Sequence, residues 1–150
     1  NNGILVNDYC QTNDKKIYAA GDCVSFKFHN NLIRLESVGN AIEQSEVAAE
    51  NIFGKNSKYQ PIPWFWSDQY NLKLQIAGLN TGFTNVFHRR DNDKNSFWYY
   101  KRDKLVSIDS INDPVSYMVG KKFLEINKNP DPKDIVSTKI DLKKLLREIK

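Results

Sequence analysis

The sequence predicts an α+β protein in two parts: the end of an α/β domain over residues 1–60, then a small domain over residues 61–150 with an antiparallel sheet flanked by helices. Three observations carry this. Before residue 60, short apolar runs lead into one strongly periodic helical segment. Between residues 72 and 111, strand-like runs follow one another with only short polar breaks. Between the two parts lies Pro61-Ile62-Pro63, where the prolines hold the chain extended and a new unit begins.

Gly3-Ile4-Leu5-Val6 is a short apolar run closed by the turn signal Asn7-Asp8. Ile17-Tyr18-Ala19-Ala20 reads as a second strand, ending abruptly in Gly21-Asp22. A strand that ends this way puts a carboxylate at the carboxyl edge of a sheet, where open α/β folds bind ligands. That carboxylate can accept hydrogen bonds from a hydroxyl, although a simple turn aspartate is the commoner explanation. Residues 24–31 read as a loop holding His29. From Val38 onward, apolar or small residues at 38, 41, 42, 45, 49 and 52 give the spacing of a half-buried helix. Ser37 is its expected N-cap and Gly54 its stop.

The second part opens on Trp64-Phe65-Trp66-Ser67-Asp68-Gln69. Clustered rings at a join form either a packed seam or one wall of a ligand site, and spacing alone favours the seam. Four strands are expected over Leu72–Leu79, Asn85–Arg90, Ser96–Arg102 and Leu105–Ile111. Leu72, Leu74 and Ile76 alternate with polar residues, the pattern of a sheet covered on one face. Arg102-Asp103-Lys104 suggests a hairpin without the usual Asn-Gly. Asp113-Pro114 starts a helix with Val115, Val119, Phe123 and Ile126 in register. Pro130-Asp131-Pro132 breaks the chain, and Asp141 caps a last helix with Leu142, Leu145, Leu146 and Ile149 on one face.

Composition narrows the function classes. A formal charge of +4 and a pI near 9.0 suit either an ordinary solvated surface or attraction to an acidic partner. Lys and Arg are dispersed, and the densest run, Lys143-Lys144 with Arg147, shares its helix with Glu148, so nucleic acid is not the expected partner. No apolar run is long enough to span a membrane. The first residues carry no signal-peptide pattern, and the chain reads as a fragment of a longer protein. Cys10 and Cys23 form no CxxC pair and are expected as two buried free thiols of a cytoplasmic protein. With two histidines in all, no metal site is expected. No GxGxxG, Walker A or GxSxG motif occurs.

Three motifs together carry a resemblance: Ile17-Tyr18-Ala19-Ala20-Gly21-Asp22-Cys23, then Arg34-Leu35-Glu36-Ser37-Val38 with Asn40-Ala41-Ile42-Glu43-Gln44, then Pro63-Trp64-Phe65-Trp66-Ser67-Asp68-Gln69. They resemble the corresponding segments of the FAD-dependent NAD(P)H:ferredoxin and rubredoxin reductases, and the resemblance spans the chain. It implies that residues 1–60 end an FAD-binding domain and that residues 61–150 form the reductase C-terminal, interface-like domain, which allows a homodimer. The fingerprints for FAD and NAD(P)H would then lie upstream, and the fragment alone would be inactive.

The resemblance also implies roles. Asp22 would hold the ribityl chain, Ser37 and Val38 would meet the flavin, and Glu36 would lie near the nicotinamide pocket. Trp64 and Trp66 would stand at the flavin edge where electrons leave, with Trp66 against the cofactor. Lys73 would help dock an acidic iron–sulfur protein, a ferredoxin or rubredoxin serving an oxygenase. No side chain need act as a covalent catalyst, because the cofactor carries the chemistry. Ser45-Glu46 departs from the family, which often has a basic residue there. The competing readings are a stand-alone protein-interaction module and a single-strand nucleic-acid binder built on stacked aromatics.

Overall fold

Mixed α and β elements are observed throughout the computed structural model, which describes residues 2–29 and 31–149. Asn1, Asn30 and Lys150, which fall within the expected fragment start, the 24–31 segment and the final helix region, lie outside the described residues. The chain divides into two units, Asn1–Pro63 and Trp64–Lys150.

In the first unit, β1 (Ile4–Leu5) pairs in parallel with β2 (Val24–Phe28), and β2 pairs antiparallel with β3 (Asn31–Ile33). The segment expected as a loop therefore contains the central strand of this sheet. Val24, Ser25 and Phe26 are all buried, so β2 lacks the half-exposed alternation that makes a strand visible in a sequence. The Ile17–Ala20 run corrects in the opposite direction. Its residues form no strand and join only an isolated bridge between Gln11 and Tyr18, while Tyr18, Ala19 and Ala20 pack beside Cys10 and Val24. Gly21-Asp22 is accordingly the turn that enters β2.

Helix α1 (Val38–Ile52) has the expected cap, with the Asn40 N–H donating to Ser37 Oγ at 3.3 Å, and Gly54 follows its end. Its buried face is not the expected one. Val38, Ile42 and Ile52 are 54%, 55% and 64% exposed, whereas Gly39, Asn40, Gln44 and Ala48 are buried. Hydrogen bonds hold the inward face beside the apolar contact that Ala48 makes with the core. Tyr59 Oη donates to Asn40 Oδ1 at 2.6 Å, and Asn51 Nδ2 donates to the Tyr9 and Ser57 carbonyls. Cys10 is buried in this unit's core, and burial pushes its thiol up to about 11. Cys23 is exposed, contrary to expectation, because the turn at residues 21–23 faces it outward.

The second unit is a five-stranded antiparallel sheet in the order β4-β5-β8-β7-β6. Its strands are β4 (Trp64–Gln69), β5 (Leu72–Gly78), β6 (Asn85–Asp91), β7 (Lys94–Lys101) and β8 (Lys104–Ile111). The aromatic stretch after the prolines is thus itself an edge strand. The hairpins turn on non-glycine residues with positive φ, namely Tyr70, Asn92 and Arg102, which explains why no Asn-Gly marks them. Helices α2 (Pro114–Glu125), α3 (Pro132–Val136) and α4 (Leu142–Ile149) follow. Asp113 caps α2 through its carboxylate, and Asp131 caps the short α3, so the Pro130–Pro132 break itself starts a helix.

The core of this unit joins Ala77, Trp98, Tyr100, Leu105 and Ile108 of the sheet to Val119, Phe123, Ile135, Leu142 and Leu145 of the helices. An irregularity opposite Tyr99/Tyr100 shifts the register of β8, so Leu105 and Ile108, three residues apart, both face the core. The Leu72, Leu74 and Ile76 stripe lies on the opposite face, since Ala77 is the β5 residue in the core. Pleat parity alone cannot say which of two mixed faces the helices cover.

Arg89 was not legible as structural. Its guanidinium donates to the carbonyls of Ile135, Ser137 and Ile140, tying β6 to the connection between α3 and α4. Replacing it with Met leaves three part-buried carbonyls without a charged donor. We expect Arg89→Met to lower stability by about 2–3 kcal/mol, measured as the urea midpoint. Arg89→Lys should recover only part of the loss, because an ammonium lacks the planar fork.

On the open face, Tyr99 Oη donates to Asp109 Oδ2 at 2.8 Å, while buried Asp109 Oδ1 has no hydrogen-bond partner among the described residues. Burial raises the Asp109 pKa, partly offset by the Tyr99 hydrogen bond, and burial together with Asp109 pushes Tyr99 up to about 12. Because the folded value of Asp109 is raised, its protonated form is the one folding favours. That contribution is present below the ordinary carboxylate range and is lost as pH rises through the folded value. Asp109→Asn should therefore raise the melting temperature at pH 7. The gain should vanish as pH falls below about 4; a gain that persisted there would contradict this account.

Candidate functional site

Each unit presents one cluster of the expected site residues. In the first, the turn before β2 is held against α1. The Gly21 N–H donates to Gln44 Oε1 at 2.8 Å, and a Cβ on Gly21 (φ +86°) would stand 3.6 Å from the Ala41 Cβ. Asp22 is thereby an exposed carboxylate next to a residue packed on the first turn of α1. Asn40 Nδ2 donates to the Leu35 carbonyl at 2.9 Å, lacing the approach segment to the same turn. Glu36 is exposed and pairs with Arg34. Asp22, Ser37 and Val38, with Glu36 just before them, therefore gather at the N-terminal end of α1.

That end of a helix carries unpaired N–H groups and a partial positive charge, so it favours an anionic group. The exposed carboxylate of Asp22 accepts hydrogen bonds from hydroxyls. Exposed Val38 offers an apolar contact on the same turn. Hydroxyls, a flat apolar body and developing negative charge are together what this arrangement can accommodate.

In the second unit, Trp64 and Trp66 project from the same face of β4. Their rings stack with centroids 5.4 Å apart and planes 19° from parallel. Trp66 is 41% exposed. Pair registry places Gln75 opposite Trp66 and Lys73 opposite Asp68, so Lys73 shares the face of the Trp pair. Lys73 is exposed and, among the described residues, joins no ion pair. Lys121 of α2 places its Nζ 5.0 Å from the Trp64 ring centroid.

Two site features escaped sequence reasoning. Gln44 is fully buried and spends its carbonyl on the Gly21 N–H, while its Nε2 has no hydrogen-bond partner among the described residues. Lys121 meets Trp64 across a sequence separation that no local pattern encodes. His29 and His88 are exposed and lie against Phe28 and Phe97. Among the described residues no group of His, Cys, Asp and Glu is arranged to hold a metal.

Residues 64–146 match the family model described as Reductase C-terminal, and residues 1–50 match Pyridine nucleotide-disulphide oxidoreductase. The first match covers more than half of the chain, and the chain belongs to the reductase C-terminal family. It is 36% identical over 146 residues to rhodocoxin reductase of Rhodococcus erythropolis, covering 95% of this chain and 34% of that protein. It is 32% identical over 153 residues to putidaredoxin reductase of Pseudomonas putida, covering 99% of this chain and 36% of the relative.

Among solved structures it resembles a ferredoxin reductase from Rhodopseudomonas palustris, with TM-score 0.91, 37% identity, and coverage of 96% of this chain and 37% of that one. It also resembles the covalent putidaredoxin reductase–putidaredoxin complex, with TM-score 0.92, 31% identity, and coverage of 99% and 37%. The chain thus spans about a third of the length of these curated relatives.

The Gly21–Gln44 bond is open to a direct test. Replacing Gln44 with Leu removes the acceptor of a turn N–H, at a cost of about 1–3 kcal/mol. The Gly21 amide should exchange slowly with deuterium in the native chain and fast in Gln44→Leu. Unchanged protection would show that the turn does not depend on this side chain.

Proposed function

We propose that this chain is the C-terminal portion of a flavoprotein reductase that carries electrons from NAD(P)H through FAD to a small iron–sulfur protein serving an oxygenase. The observation that carries it is the order of the two family matches, a pyridine nucleotide oxidoreductase segment followed directly by a reductase C-terminal segment. In this reading residues 1–60 close the FAD-binding domain and residues 61–150 form the C-terminal domain, in a cytoplasmic enzyme. The acceptor is a ferredoxin or rubredoxin. The putidaredoxin reductase–putidaredoxin complex supports the ferredoxin.

FAD fits the first cluster on the chemistry of its donor set. The exposed Asp22 carboxylate accepts hydrogen bonds from ribityl hydroxyls. The capped start of α1, with Ser37 and Val38, stabilises negative charge at the ring edge. Bound FAD supplies the conversion of a hydride into single electrons. Glu36 lies toward the nicotinamide. In the second unit, the Trp64–Trp66 pair shields the electron exit, Trp66 faces the cofactor, and Lys73 draws the acidic acceptor by charge.

The test uses the full-length protein that contains this chain. Purified protein should show a flavin spectrum, be bleached by NADH or NADPH, and reduce at least one member of a panel of acidic ferredoxins and rubredoxin. Asp22→Ala should weaken FAD binding by about 10- to 100-fold, measured by flavin fluorescence titration. A protein that stays colourless after FAD is added would overturn the reading. Reduction of the flavin with no electron delivery to any iron–sulfur protein would overturn its acceptor.

A further inference from the structure

The open face of the large sheet carries a carboxylate among apolar neighbours. One cross-strand row runs over all five strands: Phe65, Ile76, Asp109, Phe97 and His88. Asp109 lies on the middle strand of that row, between Ile76 and Phe97. Tyr99 takes one of its oxygens, and the Tyr99 ring is itself met edge-on by Phe83 at 5.1 Å. The other oxygen, Oδ1, is shut off from solvent without a hydrogen-bond partner, and Asp109 joins no ion pair among the described residues. His88 stacks on Phe97 at 4.5 Å from the β6 side, and Asp109 lies on the β8 side of the same residue.

A desolvated carboxylate with an unused acceptor is costly. A cation relieves it, and rings beside a carboxylate are surroundings that organic cations prefer. Arginine fits best, because its guanidinium is planar, weakly hydrated, donates to carboxylates and stacks on aromatic rings. Its methylene stem can lie along Ile76 and exposed Phe65. The acidic acceptor proposed above does not fit this face, because Asp109 would repel it. Phe65, Leu72 and Val86 are exposed around the row, so the arginine arrives on a covering surface rather than as a free molecule. The chain spans about a third of the length of its curated relatives, so such a surface can be covalently attached and locally concentrated.

We propose that Asp109, with Tyr99 and Phe97, receives an arginine from the part of the parent protein that precedes this chain, and that this part covers the open face of the sheet. The proposal rests on the reading of this chain as the C-terminal portion of a longer protein, and not on its flavin chemistry. The gain expected above from Asp109→Asn applies while the carboxylate lacks its cation. In the full-length protein the sign reverses, and Asp109→Asn should lower the melting temperature by about 2–4 °C at pH 7. A rise, or no change, would overturn the proposal.

A photo-crosslink identifies what covers the face. Val86→p-benzoylphenylalanine places the reactive group opposite Tyr99 on the exposed edge strand. On irradiation, the full-length protein should form an adduct within one polypeptide, to an arginine-bearing segment that precedes Asn1. An adduct to a second copy, to an added acidic ferredoxin or to any other segment would overturn the proposal, as would no adduct. Replacing the arginine of that segment with Met should cause a loss that does not add to that of Asp109→Asn. Additive losses would show that the two residues are not partners. If the full-length protein binds no flavin yet gives the adduct and the coupling, the arginine receptor stands and the reductase reading is what fails.

Discussion

The second unit depends on how closely α2 approaches the sheet. A Cβ on Gly120 would stand 2.7 Å from Ile108 Cγ2 and 2.8 Å from its Cδ1, so only glycine lets the helix sit at this distance. Ile108 is on β8, the middle strand, and is fully buried. Larger residues would lift α2 and open a gap along Val119 and Phe123, whose packing fills the same layer. The next residue along α2 is Lys121. Its reach across to Trp64 on the edge strand is set by the seating of Gly120 on the centre of the sheet. A packing constraint in the core thus determines a contact at the surface.

Polar contacts play the corresponding part in the first unit. α1 turns Asn40, Gln44 and Asn51 inward and leaves Val38, Ile42 and Ile52 exposed. Each inward amide makes at least one specific bond: Asn40 to the Leu35 carbonyl and Tyr59 Oη, Gln44 through its carbonyl to the Gly21 N–H, and Asn51 to the Tyr9 carbonyl and to the Ser57 N–H and carbonyl. Such bonds add little net stability individually, but an unmatched buried amide is costly, so they define a single seating for the helix. The seating places Gly21-Asp22 on the first turn of α1. The proposed role of Asp22 requires a fixed orientation, and an apolar interface of the same size would leave the helix freer to slide or rotate.

This explains which parts of the molecule were legible in the sequence. Termini and punctuation were: Ser37, Asp113 and Asp141 act through bonds to residues three or fewer positions away, and local chemistry suffices to read them. Four strands of the large sheet were also visible, because aromatic and β-branched runs declare themselves. Faces were not. The exposed apolar residues of α1 and the open-face stripe of Leu72, Leu74 and Ile76 obey the same periodicities as buried ones, and periodicity reports that two faces differ without saying which is covered. β2 was missed because burial on both faces erases alternation, and β4 because the prolines just before it and its clustered rings resemble a connecting segment. Within the candidate site, the motif residues could be named through resemblance, but Gln44 and Lys121 act over 23 and 57 positions and have no one-dimensional signature.

The uncovered face of the sheet and the Trp pair follow from the same asymmetry. Helices cover one face only, leaving Phe65, Leu72 and Val86 exposed on the other. The Trp pair projects on the helix-covered side but at the last strand, beyond the reach of most of the helical layer. Rings placed there are shielded enough to be oriented and exposed enough to be met from outside. At the centre of the sheet they would be buried like Trp98, which is fully buried and donates its indole N–H to Ser96 Oγ. On the open face they would lack Lys121. A helix-side position on an edge strand therefore leaves this indole pair part-covered and part-exposed.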